Sequence, residues 1–157
     1  MEIEAFLADS VVAAEGKLYV QGAGWNVINA QNVPFSHDRI GVGVLVHVPY
    51  TATNQMHAME FSLEDADGTS LPIGDAPPGV ETPDGKIRTF TAQFNVGRPS
   101  TIQPGDDQMI PFALNVNGLL LERADRYCFV IRIDGTEAKR LCFRVNQLMQ
   151  LQPGVGS

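Results

Sequence analysis

Apolar residues recur at every second position through most of this chain, and that spacing constrains the fold more than any other feature. A period of two puts alternate side chains on opposite faces of an extended strand, and helical spacing is scarce here. In Arg39–Val48, Ile40, Val42, Val44, Val46 and Val48 share one face, while Gly41, Gly43, Leu45 and His47 share the other with Arg39. His57–Glu64 alternates around Met59, Phe61 and Leu63, and Arg88–Val96 around Phe90, Ala92, Phe94 and Val96. Ile110–Val116 does so around Ile110, Phe112, Leu114 and Val116, with Pro111 suited to a strand start or an edge. Arg126–Ile133 turns Tyr127, Phe129, Ile131 and Ile133 inward, and Lys139–Val145 turns Leu141, Phe143 and Val145 inward. Asp134-Gly135-Thr136 between them is a hairpin signal. Short strands also fit Ile3–Leu7, Lys17–Gln21 and Trp25–Ile28. The expected fold is all-β, an antiparallel β-sandwich (immunoglobulin-like or jelly-roll-like) of about eight or nine strands.

A chain of 157 residues with 44% hydrophobic and 18% charged residues has the size and composition of one globular domain. We place that domain at residues 1–146, with a flexible tail at 147–157. Residues 71–86 interrupt the alternation with Pro72, Pro77, Pro78 and Pro83 and with Gly74, Gly79 and Gly85. Such a loop is long for a compact domain and is either functional or a mobile surface segment.

The net charge of −7 argues against nucleic acid and anionic membrane as partners. No apolar run approaches the roughly 20 residues of a membrane helix. The acidic stretch MEIEAFLADS lacks the basic region of a secretory signal, so a cytoplasmic location is expected. In a reducing cytosol Cys128 and Cys142 are expected as free thiols. A pairing sum of 270, with a three-residue loop, sets them directly opposite; a sum of 268, with a bulged turn at Gly135, sets Cys128 opposite Arg140.

Motifs for chemistry are few. Gly22-Ala23-Gly24-Trp25 opens no helical pattern, so it is no phosphate cradle. Its glycines suit a bend that folds Trp25 over the sheet end, and Trp25 is otherwise a ligand or partner anchor. Gly41 and Gly43 leave a groove on a strand face, to be filled by a covering loop or by the indole of Trp25. His37, His47 and His57 lack any metal-ligand spacing. Asp65-Ala66-Asp67-Gly68 begins like a calcium loop, but Ala76 stands where its closing glutamate belongs, which leaves an Asp-Gly turn. No GxSxG elbow is present. No metal or cofactor is expected.

Charge placement is the remaining signal. Of eleven basic residues, six lie between Arg123 and Arg144. Strand parity puts Arg126, Arg132, Arg140 and Arg144 on the outer face of the last hairpin, beside both cysteines and Val130. Such a face suits a carboxylate or phosphate partner, or else is solvated and paired to acidic neighbours.

Three stretches together, LADSVVAAEGKLYVQGAGW, HVPYTATNQMHAMEFSLEDADG and NVGRPSTIQPGDDQMIPFALNVNGLLLERADRYCFVIRIDG before RLCFRV, resemble one family. It consists of short, uncharacterised, mostly actinobacterial proteins that carry a domain-of-unknown-function label. The resemblance runs from about Ile3 to Val145. It implies a small β-rich domain and supplies no catalytic residues. Cys142 departs from it, since members tend to carry proline or another residue there, so it lends no support to a shared role for the two cysteines.

The leading expectation is a non-enzymatic binding or assembly module acting through protein–protein contacts, as a homo-oligomer or a particle subunit. Its binding residues would be Arg126, Arg132, Arg140, Arg144 and Trp25. The alternative is a ligand-binding or enzymatic sandwich whose site at one end uses Trp25, His37 and the acidic loops. A phage-derived structural or decoration protein is a third reading, which no residue pattern selects.

Overall fold

A computed structural model describes residues 1–149. Among them the chain forms strands and no α-helix: β1 (Glu2–Ala8), β2 (Ser10–Ala14), β3 (Lys17–Gln21), β4 (Val27–Ala30), β5 (Phe35–Val48), β6 (Met56–Glu64), β7 (Ser70–Leu71), β8 (Gly74–Asp75), β9 (Lys86–Ile87), β10 (Thr89–Asn95), β11 (Gln108–Leu121), β12 (Arg126–Ile133) and β13 (Thr136–Gln147). One 3₁₀ turn, Tyr50–Ala52, follows β5. The three-stranded sheet has the order β1-β5-β11, and the larger sheet has the order β10-β6-β12-β13-β4, with β7 also paired to β6. Both sheets feed one core. Ile40, Val42, Val44, Val46 and Val48 from β5 meet Met59, Phe61, Leu63, Phe129, Ile131 and Phe143 from the larger sheet. These are the inward faces that alternation assigns.

The protein is therefore all-β, but not purely antiparallel. β4 runs parallel to β13, from Val27 opposite Arg144 to Ala30 opposite Gln147. A parallel pair cannot be joined by a tight turn. These two strands are separated by most of the chain, so no connecting loop dictates their sense. Of the tail expected at 147–157, Gln147 belongs to β13, and Leu148 N–H donates to the Ala30 carbonyl at 2.7 Å. Residues 150–157 lie outside the described residues.

The glycine groove on β5 is filled by the β2–β3 hairpin, not by Trp25. A Cβ at Gly41 would lie 3.2 Å from backbone atoms of Ser10 and Val11, and one at Gly43 would lie 2.7 Å from the Phe6 ring. Asn115 of β11 fixes the hairpin there: its Oδ1 accepts from Val11 N–H at 3.0 Å, and its Nδ2 donates to the Val11 carbonyl at 2.8 Å.

β12 and β13 meet through a two-residue turn. Asp134 (φ 50°) and Gly135 (φ 81°) both take positive φ, as a type I′ turn requires. Ile133 pairs with Thr136, and a bulge between Ile131 and Arg132 then shifts the register, so that Cys128 stands opposite Cys142. The pairing sum of 270 is reached by turn plus bulge rather than by a three-residue loop. The cysteines form a disulfide, contrary to the expectation of free thiols: directly opposed side chains on one face bring the two sulfurs within bonding reach. At the other end of β12, Tyr127 Oη donates to the Arg123 carbonyl at 2.8 Å and accepts from Arg123 N–H at 3.1 Å, which pins the β11–β12 corner.

The Pro/Gly-rich segment is neither slack nor featureless. β8 pairs with β9, Ile73 N–H donates to the Ile87 carbonyl at 2.9 Å, and Ala76 N–H donates to the Gly85 carbonyl at 2.8 Å. It forms an arm folded beside β11.

Candidate functional site

The arginine face exists as one surface of the larger sheet, but its four members differ. β6 lies against β12, with Glu64 opposite Cys128 and Ser62 opposite Val130. This brings Glu64 within 2.8 Å of Arg140 and 3.8 Å of Arg132. Arg140 also reaches Glu137 at 2.7 Å, and Arg132 donates to Ser62 Oγ at 3.2 Å. These two guanidiniums are engaged by the protein's own groups. Val130, wholly buried between Ser62 and Arg140 in register, is of the kind that long arginine stems can shield. Arg126 and Arg144 stand directly opposite each other, and both are exposed. Among the described residues neither has a carboxylate within salt-bridge distance. Like charges in direct cross-strand opposition are unfavourable, so this rung is an uncompensated positive site. Val27, beside Arg144 across the parallel pairing, adds an exposed apolar side chain.

Trp25 does not join that surface as an open anchor. It is half-buried and packs edge-on to Phe143, with ring centroids 6.2 Å apart. Phe143 in turn stacks on Tyr127 at 5.6 Å. The indole Nε1 is buried without a hydrogen-bond partner among the described residues.

The three histidines do not converge. His47 bonds Glu4 at 3.1 Å, and His37 meets the Phe35 ring edge-on. His57 is buried beneath the β12–β13 turn. Its Nδ1 lies 2.8 Å from Asp134 Oδ2, and its Nε2 lies 2.7 Å from the Ala52 carbonyl. Both neighbours are acceptors, so satisfying both requires a ring protonated on both nitrogens. The Ala52 carbonyl is the main cause that raises the His57 pKa; burial opposes it, and Asp134 adds to it. The Ala58 N–H bond, and then His57, hold the Asp134 carboxyl below its ordinary range. The site is a structural clamp joining the 3₁₀ turn, β6 and the last hairpin. Among the described residues no three His, Cys, Asp or Glu side chains are placed to hold a metal.

The Asp65 loop is the Asp-Gly turn. Asp65 Oδ1 accepts from Asp67 N–H and Thr69 N–H, both at 2.9 Å, while Arg123 bonds Asp65 and Asp67 from outside.

Sequence reasoning missed a cleft of about 520 Å³ between the β8–β9 arm, β11 and the start of β12. Its floor is apolar, made by Leu71, Ile73, Val116, Leu119 and Tyr127, and its rim carries Lys86, Arg88 and Arg123. Neither Trp25 nor His37 lines it. The available signal was Lys86-Ile87-Arg88, a basic pair closing a Pro/Gly-rich segment that flanks apolar strands.

These features define a small all-β protein with a polarised charged face and a separate apolar cleft. The chain belongs to a family of unknown function, DUF6941, whose model matches residues 4–146. No curated protein matches it. Among solved structures it is similar to the Pseudomonas fluorescens alkylpurine DNA glycosylase AlkC bound to DNA containing an abasic site analogue, at 12% identity and a TM-score of 0.42. That likeness covers 77% of this chain and 27% of the glycosylase chain. Among the described residues no helix is long and apolar enough to cross a membrane.

Proposed function

We propose that this is a non-enzymatic binding and assembly module that acts through protein–protein contacts, with its arginine face against the carboxylates of a second copy of the chain. The observation that carries this reading is the rung of Arg126 opposite Arg144, two exposed cations whose guanidiniums have no carboxylate within salt-bridge distance among the described residues, while Arg132 and Arg140 are ion-paired. A carboxylate set between them offsets their repulsion and accepts bidentate hydrogen bonds. A chain of net charge −7 offers such carboxylates to its own basic face, which gives the charge complementarity that self-association uses. The same charge disfavours nucleic acid and anionic membrane as partners. The architecture we attach to this reading is a β-sandwich. Its support is the shared core of the two larger sheets and Tyr127, whose hydroxyl bonds the backbone four residues upstream in the manner of a tyrosine corner.

For location our proposal is the cytoplasm. Reducing compartments open disulfides, so this placement requires Cys128 and Cys142 to be reduced in cells. Alkylation of thiols at lysis reads that directly, and a fully blocked pair overturns the location.

The test of function is mass in solution by light scattering, for the wild type and for Arg126→Glu/Arg144→Glu. A defined wild-type oligomer, weakened by salt, and a folded monomeric variant support the module. Monomers in both, or an oligomer unchanged in the variant, refute it.

A further inference from the structure

The cleft beside β11 is remote in chemistry from the arginine rung, and it calls for its own ligand. Its volume, about 520 Å³, falls within the roughly 300–1,000 Å³ of small-molecule sites. Ile73, Val116, Leu119 and Tyr127 of its floor are all buried, so an apolar body seated there would meet a preformed apolar surface. The rim decides the polar end. Arg88 spends both terminal nitrogens on Asp84, at 3.3 and 2.7 Å. Arg123 uses only Nη2, on Asp65 and Asp67 at 3.2 and 3.3 Å, which leaves Nη1 and Nε to donate elsewhere. Lys86 spends one of its three protons on Asp75.

The acidic side chains of the rim are mostly committed. Asp65 accepts from its own turn and from Arg123, and Asp75 accepts from Lys86. Glu122 alone lacks an ion pair among the described residues of this rim. The rim of the cleft therefore has spare N–H donors at Arg123 and Lys86, and one carboxylate, Glu122, without an ion pair among the described residues. The Lys86–Asp75 and Arg123–Asp67 pairs are exposed and contribute little, so a ligand anion can share their donors.

We infer that this cleft binds a small amphiphilic anion, its apolar body on the Ile73–Leu119–Tyr127 floor and its single acidic group against Arg123 and Lys86. The β8–β9 arm that lines the cleft is fixed by its strand pairing.

The test titrates the folded protein with anilinonaphthalene sulfonate, an apolar body with one anion. Fluorescence reports affinity, and amide chemical shifts report place. The expected result is saturable one-to-one binding with shifts at Ile73, Gly118 and Leu119, and displacement by decanoate but not by decanol. Arg123→Gln should weaken binding about tenfold, and Glu122→Gln should strengthen it by removing the opposing charge. If Arg123→Gln perturbs the fold, Glu122→Gln still decides the sign of the charge effect. Non-saturable binding, shifts on the exposed Val12 and Tyr19 of the β2–β3 hairpin instead, or affinity indifferent to both substitutions would overturn the assignment.

Discussion

Replacing His57 by phenylalanine isolates the clamp under the last hairpin. The ring volume is kept, as is its packing on Phe94, whose ring centroid lies 5.3 Å away. What is lost is two donors. The Ala52 carbonyl loses its partner at 2.7 Å, a cost of about 1–3 kcal/mol for a buried acceptor. Asp134 keeps Ala58 N–H at 2.9 Å and has a side chain 47% exposed, so water replaces the imidazole there at a cost of about 0–1 kcal/mol. The sum is near 2 kcal/mol, or about 4–8 °C in melting temperature for a chain of this size. The pH dependence is more diagnostic. Because folding raises the His57 pKa, its contribution is complete below the ordinary value near 6.5 and is lost as pH rises through the folded value. Asp134, held low, contributes above its ordinary carboxyl range and loses that contribution as pH falls through its folded value. Urea titrations from pH 5 to 8 should show wild-type stability falling on the alkaline side, by at most about 1.4 kcal/mol per pH unit for one group. The variant should be flat there. Parallel profiles, or a variant as stable as the wild type at pH 5.5, would refute the doubly bonded imidazolium.

Three further substitutions probe the frame. Gly43→Ala should destabilise by about 1–3 kcal/mol through overpacking, because its Cβ lands 2.7 Å from the Phe6 ring and 3.1 Å from Leu18 Cδ2; an unchanged denaturation midpoint sinks the idea that the hairpin is seated on that glycine. Tyr127→Phe removes the corner hydroxyl that both donates to and accepts from Arg123, so a loss of about 1–2 kcal/mol should come with faster amide exchange at Arg123. Cys142→Ser opens a bond spanning 14 residues, and the loop-entropy account gives about 2–3 kcal/mol; the wild type in a dithiol should match the variant, and oxidised protein no more stable than either would contradict this.

What could be read from the residues was local and periodic. β3 and β12 begin and end where alternation puts them, and the β5 and β6 faces are buried as assigned. Asp134-Gly135 announced its turn because few residues other than Asn, Asp and Gly tolerate positive φ. Gly41 and Gly43 announced a close approach, though not by what. The arginine face followed from parity alone, but which arginines are free did not. That depends on Glu64, which β6 carries to β12 across 76 residues of sequence from Arg140.

The illegible features share that cause. A period of two states which face a side chain takes and nothing about which strand lies beside it. The bulge after Ile131 moves the hairpin register by one residue on one strand, and without it Cys128 would stand opposite Leu141 rather than Cys142. The parallel β4, the His57–Asp134 pair 77 residues apart and the cleft floor, gathered from β11, β12 and the Pro/Gly-rich arm, are all products of strand neighbourhood. Loop closure grows costlier only slowly with length, so chain separation excludes none of these pairings, and core burial selects among them. Of the two candidate sites of this protein, the Arg126–Arg144 rung sits where that selection leaves charge uncompensated, and the cleft sits where it leaves Nη1 and Nε of Arg123 without a partner among the described residues.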